Sequence, residues 1–223
     1  MIVVMGLYRG GSSAVAGVLH HLGVCMGHEL KVVPGAESPR YVAYEDWPLR
    51  RTCLQCYTER EMHALRGFGG RVQLLYQYLA DRISTSPQVT NSRDTLAIPY
   101  TGCDHSPMGA KFPSLCYMGH EIVEAWGADT QFVAVDRDLK SVVDSARRWY
   151  GDGSHGMTHR LYEARESFLA TREHVRVRYE SLVKNPALAI SRIADGLGLD
   201  PSDANRQAAI NHVARPTYAE ATS

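Results

Sequence analysis

No stretch of this chain is apolar for long enough to span a bilayer. The first hydrophobic run, Ile2–Met5, stops at Gly6 and is shorter than the core of a signal peptide, and no later run reaches membrane length. Net charge is absent as well: 24 Lys+Arg balance 24 Asp+Glu, so neither a broad nucleic-acid surface nor a membrane-binding face is expected, and any anion site has to be local. Cysteine is scarce, and its five scattered copies (Cys25, Cys53, Cys56, Cys103, Cys116) fit reduced thiols and a cytoplasmic setting. The C-x-x-C at Cys53 and Cys56 has no second pair and no histidine pair beside it, so it reads as two ordinary helix cysteines. His155 and His159 are four apart, but Gly151, Gly153 and Gly156 argue for a loop there, and no metal site is expected. No repeat, low-complexity tract or linker interrupts the 223 residues, which read as a single domain over 1–223.

The glycine-rich turn near the start also lacks something: the lysine of a Walker A loop. Ile2–Met5 runs into Gly6-Leu7-Tyr8-Arg9-Gly10-Gly11-Ser12-Ser13 and then into a helical pattern through Leu22, closed by Gly23. In G-x-x-x-x-G-K-[ST] a lysine precedes the hydroxyl residue. Here Gly11 precedes Ser12, and the cation, Arg9, stands three residues before that serine. The mechanics are still those of an anion cradle. A helix start approached by a tight turn presents unpaired N–H groups and the positive end of a dipole, to which Arg9 adds a fixed charge and Ser12 and Ser13 add hydroxyls. A phosphate or sulfate group is the expected ligand.

Strand patterns alternate with helical ones, which predicts an α/β fold with a mostly parallel central sheet. Strands are expected at Ile2–Met5, Gly109–Phe112, Gln131–Val135 and Val175–Arg178. Helices are expected at Ser12–Leu22, Thr52–Leu65, Arg71–Ile83, from a Ser114 cap toward Trp126, and at Lys140–Trp149, Thr158–Thr171 and Ala187–Leu197. Gly27–Pro48 reads as a long irregular loop above the first crevice, rich in Tyr41, Tyr44 and Trp47. Gly151–Gly156 reads as a flexible turn, and the tail after Pro201 is weakly patterned. Asp104 and His105 are candidates to line an acceptor pocket.

A second anion site is written after Gln131–Val135. Arg137 leaves the carboxyl end of that strand, where ligands of open α/β sheets bind. Ser145 follows eight residues later, two turns into a helix. A guanidinium and a hydroxyl so placed can grip a phosphate. With these residues in place, the chain resembles the sulfotransferases that use 3′-phosphoadenosine 5′-phosphosulfate (PAPS). Arg9-Gly10-Gly11-Ser12-Ser13 stands where that family has its 5′-phosphosulfate loop, and Arg137 with Ser145 matches its 3′-phosphate signature. Val177-Arg178-Tyr179-Glu180-Ser181-Leu182, with Pro186, Ile193 and Leu197-Gly198-Leu199, looks like a third family stretch. Tyr44-Glu45-Asp46 and Ala110-Lys111-Phe112-Pro113-Ser114 resemble two elements of its bacterial branch. Departures are Gly10 for a serine, Leu139 for a proline, and Phe112 and Ser114 for Asp and Arg.

The resemblance implies a three-layer sandwich of P-loop NTPase-like sulfotransferase architecture and transfer of a sulfuryl group from PAPS to a hydroxyl or amine of a small-molecule or carbohydrate acceptor, leaving adenosine 3′,5′-bisphosphate. It implies donor contacts from Arg9, Gly10, Gly11, Ser12, Ser13, Arg137, Ser145 and Tyr179, and catalytic roles for Arg9, for Lys111 at the bridging oxygen and for Glu45 as general base, with no metal required. Two alternatives stand beside it: a P-loop nucleotide or small-molecule kinase using Asp136 to hold magnesium, and a catalytically silent nucleotide-binding relative. Acceptor identity and oligomeric state leave no readable signal in the sequence.

Overall fold

Side chains of a β-strand alternate between faces, and here both faces are apolar, the pattern of a strand buried between two helical layers. The computed structural model describes residues 1–27, 30–32, 42–57, 66–84, 95–96, 107–152 and 154–214, without the side chains of 31, 32, 42, 95 and 96. Asp104 and His105 lie outside the described residues. In chain order the elements are β1 (Ile2–Gly6), α1 (Ser12–His21), β2 (Leu30–Val32), β3 (Val42–Asp46), α2 (Trp47–Gln55), α3 (Phe68–Ser84), β4 (Thr95–Leu96) and β5 (Gly109–Lys111). A 3₁₀ turn at Pro113–Tyr117 leads to α4 (Gly119–Trp126), β6 (Gln131–Asp136), α5 (Leu139–Tyr150), α6 (Ser154–Leu169), β7 (Val175–Arg178), α7 (Tyr179–Lys184), α8 (Pro186–Leu197) and α9 (Asp203–Val213).

The central sheet has the order β5-β1-β6-β7, with every pair parallel. Val3, Met5, Ala110, Phe132 and Ala134 face one core, filled by Leu75 and Tyr78 of α3, Ile122 of α4 and Leu161 and Phe168 of α6. Ile2, Val4, Val133, Val135 and Val177 face the other, filled by Val15 and Leu19 of α1, Ile190 and Ile193 of α8 and Ala209 of α9. The expected α/β sandwich is therefore present. Parallel pairing also brings the carboxyl ends of all four strands to one edge, which gathers the Arg9 loop, Lys111, Arg137 and Tyr179.

Several local expectations are corrected. The segment from Gly27 to Pro48 carries β2 and β3, which join β4 in a small antiparallel sheet of order β3-β2-β4, so Glu45 sits on a strand. Aromatic clustering at Tyr41, Tyr44 and Trp47 masked that strand. The helix expected at Thr52–Leu65 instead runs Trp47–Gln55, with Cys56 as its C-cap. Helix α6 starts at Ser154, so His155 and Gly156 are helical, and the His155 and His159 rings lie 4.5 Å apart. No cluster able to hold a metal ion occurs among the described residues. Ser114 does not cap a helix. The tail holds α9, capped by the Ser202 side chain, which accepts from the Asn205 N–H. Cys53, Cys56 and Cys116 are free and buried, but Cys25 is disulfide-bonded, which corrects the expectation of uniformly reduced thiols. Among the described residues no helix is long and apolar enough to cross a membrane.

Helix α9 reaches α1 because residue 17 is glycine: a Cβ there would lie 2.1 Å from His212 Nε2. His20 and His21 of α1 pack with Tyr44 and His212, with ring centroids 5.2–5.5 Å apart. Burial, reinforced by His21, pushes the His20 imidazole down to about 4. The unfolded chain, with His near 6.5, therefore binds more protons between those values, and stability falls as pH drops through that window while staying level above it. Between about pH 7.5 and pH 5 this one group accounts for roughly 1–2 kcal/mol, or a Tm loss of about 2–6 °C. Thermal melts of His20→Gln should lack that increment of acid sensitivity.

Candidate active site

The first loop is shaped by close approach. A Cβ at Gly6 would lie 2.5 Å from the Ser12 Cβ, so only glycine lets the chain fold back there. The turn closes with Gly10 N–H donating to the Leu7 carbonyl at 3.0 Å. Arg9 (φ 62) and Gly11 (φ 84) both lie in the left-handed region, unusual for an arginine and indicative of a loop built for position rather than relaxation. Gly11 is the N-cap of α1 and offers no side chain to it; the Ala14 N–H donates to the Gly11 carbonyl at 3.0 Å, which leaves the N–H groups of Ser12 and Ser13 without an intrahelical acceptor. The Tyr179 ring covers Gly11, and a Cβ at that position would come within 2.3 Å of Tyr179 Cδ2.

Two arginines meet over this loop. Arg137 Nη1 donates to the Arg9 carbonyl at 2.9 Å, and its guanidinium carbon lies 4.9 Å from the Tyr179 ring centroid. Arg9 Nε donates to Ser145 Oγ at 3.2 Å, while its guanidinium stands 4.8 Å from the Trp149 ring centroid. Ser145, on α5, is buried and faces the loop. Burial lowers the Arg9 pKa, opposed by Tyr150; the nearby charges of Arg137 and Arg148 lower it further. A half-buried, mutually repelling set of guanidiniums is stabilised by an anion placed among them.

A second group lies on the other side of the loop. The register Val4↔Lys111 carries Lys111 to the end of β5. Its Nζ reaches Ser13 Oγ at 3.0 Å, the Ala43 carbonyl at 3.2 Å and Glu45 Oε1 at 2.8 Å. Both members of this ion pair are buried, with side chains 3% and 11% exposed. Tyr44, immediately before Glu45, has φ 50 and is buried, so the backbone at this strand end departs from the extended form.

Between the two groups lies an aromatic wall. The Tyr8 ring meets Phe112 and Tyr150 edge-on, with centroids 6.4 and 5.8 Å away. Burial raises the Tyr8 phenol well above its usual range, despite a hydrogen bond with Ser114. Burial also pushes Tyr57 up to about 12, against its own bond with Ser114. Ser114 is thus a buried hub for two tyrosines, and Phe112 packs in the core. Their departures from the bacterial pattern have structural roles here.

The structure brings together Arg9, Gly10, Gly11, Ser12, Ser13, Arg137, Ser145 and Tyr179 in one group, and Lys111 with Glu45 in another that touches the first through Ser13. Sequence reasoning missed Trp149, Tyr8, Tyr57 and Arg165. Trp149 carried a readable signal, since it lies one helical turn beyond Ser145 on the same helix. Asp136 is not available as a magnesium carboxylate: Arg165 Nη2 and Arg176 Nη1 bond its two oxygens at 2.8 and 2.9 Å.

The family model described as "Sulfotransferase family" matches residues 2–203. The chain belongs to the sulfotransferase family. Family and fold together support sulfotransfer as its activity. Among solved structures, this family member is similar to the sulfotransferase domain of the olefin synthase of Synechococcus PCC 7002, at TM-score 0.54 and 14% identity over 98% of this chain and 82% of that one. It is also similar to the sulfotransferase domain of the curacin biosynthetic pathway, at TM-score 0.52 and 14% identity over 93% and 77% of the two chains. A third likeness is to sulfotransferase STF1 from Mycobacterium tuberculosis H37Rv, at TM-score 0.50 and 16% identity over 100% and 73%. At these identities the likeness concerns the fold. No curated protein matches the sequence.

Replacing Gly11 tests the loop directly. Gly11→Ala meets both a left-handed φ and the Tyr179 ring, and should destabilise the protein by about 1–3 kcal/mol, measured as a lowered urea midpoint. Gly10→Ala, whose Cβ would lie 3.1 Å from the Leu7 carbonyl, should cost less.

Proposed function

We propose that this protein is a PAPS-dependent sulfotransferase acting on a hydroxyl or amine of a small-molecule or carbohydrate acceptor. The observation that carries the reading is the meeting of two anion grips at one loop, through the bonds from Arg137 to the Arg9 carbonyl and from Arg9 to Ser145 Oγ. A nucleotide with phosphates on both its 5′ and 3′ oxygens matches such a pair. The cradle residues fit that donor: glycine at 11 leaves backbone N–H groups accessible, and the guanidiniums of Arg9 and Arg137 supply positive charge with no magnesium demanded.

The donor supplies a sulfuryl group whose bond to the bridging 5′-phosphate oxygen breaks as the acceptor oxygen or nitrogen bonds to sulfur. By analogy with phosphoryl transfer, catalysis then rests on positioning and charge stabilisation. Arg9 and the N–H groups of Gly11, Ser12 and Ser13 hold the phosphosulfate end and offset charge gathering on the leaving phosphate. Arg137 and Ser145 hold the 3′-phosphate, with Ser145 exchanging its bond to Arg9 for one to the ligand. Tyr179 walls the cradle. Lys111, already bonded to Ser13 Oγ, brings an ammonium to the bridging oxygen. Glu45 accepts the acceptor's proton, and Lys111 holds its carboxylate in place. Tyr8 and Tyr150, backed by the buried Phe112, form the aromatic wall an acceptor would meet.

Adenosine 3′,5′-bisphosphate at about a hundred times its Kd should raise Tm by several degrees, whereas ATP with magnesium should not. A rise with ATP–magnesium alone would instead favour a kinase. Over an acceptor panel, Glu45→Gln should lower kcat by about 10²–10⁴-fold while leaving affinity for the bisphosphate within a fewfold of wild type. Donor binding without turnover on any acceptor would favour a silent relative.

A further inference from the structure

Immediately beneath Arg137 lies a closed ring of four charged side chains that none of the steps above uses. Arg165, on α6, is 1% exposed despite its charge. Its Nη1 donates to the Val135 carbonyl at 2.7 Å and its Nη2 to Asp136 Oδ1 at 2.8 Å. Its Nε donates to Glu166 Oε1 at 2.9 Å. Arg176, on β7, completes the ring by donating to Asp136 Oδ2 at 2.9 Å and to Glu166 Oε2 at 3.1 Å. Two cations and two carboxylates thus join α6, the last residues of β6 and the middle of β7.

Burying a guanidinium is costly, and a pair of hydrophobic residues would hold these elements together at least as well. What the ring provides beyond cohesion is direction. Arg165 grips both the carbonyl of Val135 and the carboxylate of Asp136, the two residues just before Arg137. Arg176 ties the same carboxylate to β7, whose end, Arg178, pairs with Asp136 and leads directly into Tyr179. The two groups that face each other over the first loop, the Arg137 guanidinium and the Tyr179 ring, therefore leave the sheet from points fixed by one network.

We propose that Arg165, acting through Asp136 and Arg176, is a positioning residue that aims Arg137 at the 3′-phosphate of the donor and so sets the preference for a 3′-phosphorylated nucleotide. This rests on the PAPS reading above. Arg165 touches no ligand, and its effect is confined to the part of the nucleotide that Arg137 holds.

Calorimetric titration of the full chain with adenosine 3′,5′-bisphosphate and with adenosine 5′-phosphate gives a ratio of Kd values that measures this preference. Arg165→Met should reduce the ratio about tenfold, a change of about 1.4 kcal/mol in selectivity, while affinity for the monophosphate stays within twofold. Should Arg165→Met not yield folded protein, Arg176→Gln carries the test. Its side chain is 40% exposed, Arg165 is retained, and a roughly threefold loss of the ratio is expected. A folded variant that keeps the wild-type ratio, or that loses affinity for both nucleotides equally, overturns the proposal, since the ring would then serve cohesion alone. Arg137→Ala separates this failure from that of the donor assignment. If Arg137→Ala itself keeps the ratio, the PAPS reading fails; if it abolishes the ratio while the ring variants do not, only the positioning role fails.

Discussion

The bond from Arg137 to the Arg9 carbonyl is the constraint around which the site is organised. It joins the exit of β6 to the turn after β1, two neighbouring strands whose loops would otherwise be independent. Because Arg9 sits at positive φ, its carbonyl is turned where an ordinary extended residue would not place it. The same inversion sends the side chain toward Ser145 and Trp149. One backbone torsion thus sets both what Arg9 accepts and what it donates to. Tyr179 closes the arrangement from β7, and only a glycine at 11 can lie beneath that ring.

Much of this was readable in the letters, for a physical reason. Strand β6 and helix α8 are bounded by residues that leave the chain little choice: an apolar run ended by charge, and Asn185-Pro186 at one end with Gly198 at the other. Gly198 at φ 64 and the Asn185 side chain on the Leu188 N–H realise those signals. The turn after β1 was legible because glycine spacing is itself what lets the chain fold back there. What escaped was whatever depends on partners distant in sequence. The β2-β3-β4 sheet is assembled from short pieces, and a three-residue strand carries too little periodicity to show. Arg165 looks like any polar helix residue until the end of β6 is laid against it. Tyr78 illustrates the same limit: it is buried on α3, and its hydroxyl donates to Asp46 and accepts from Arg82, both at 2.9 Å, which no helical pattern announces.

The departures from the bacterial pattern take on meaning in the same way. Losing Asp and Arg at 112 and 114 removes charge from the end of β5, and the space is taken by an aromatic–hydroxyl cluster of Tyr8, Tyr57, Phe112 and Ser114. The Tyr8 and Tyr57 phenols, both hydrogen-bonded with Ser114, give this cluster hydrogen-bonding capacity without charge.

Glu45 and the Arg9 turn belong to different sheets. The Arg9 turn grows from the parallel sheet, while the carboxylate rides on the small antiparallel one, and Lys111 is the rivet between them, bonded to Ser13 on one side and to the Ala43 carbonyl and Glu45 on the other. A protein so divided can exchange the outer sheet and its loops for new ones without disturbing the turn after β1. The condition is that a single ammonium still finds a carboxylate waiting.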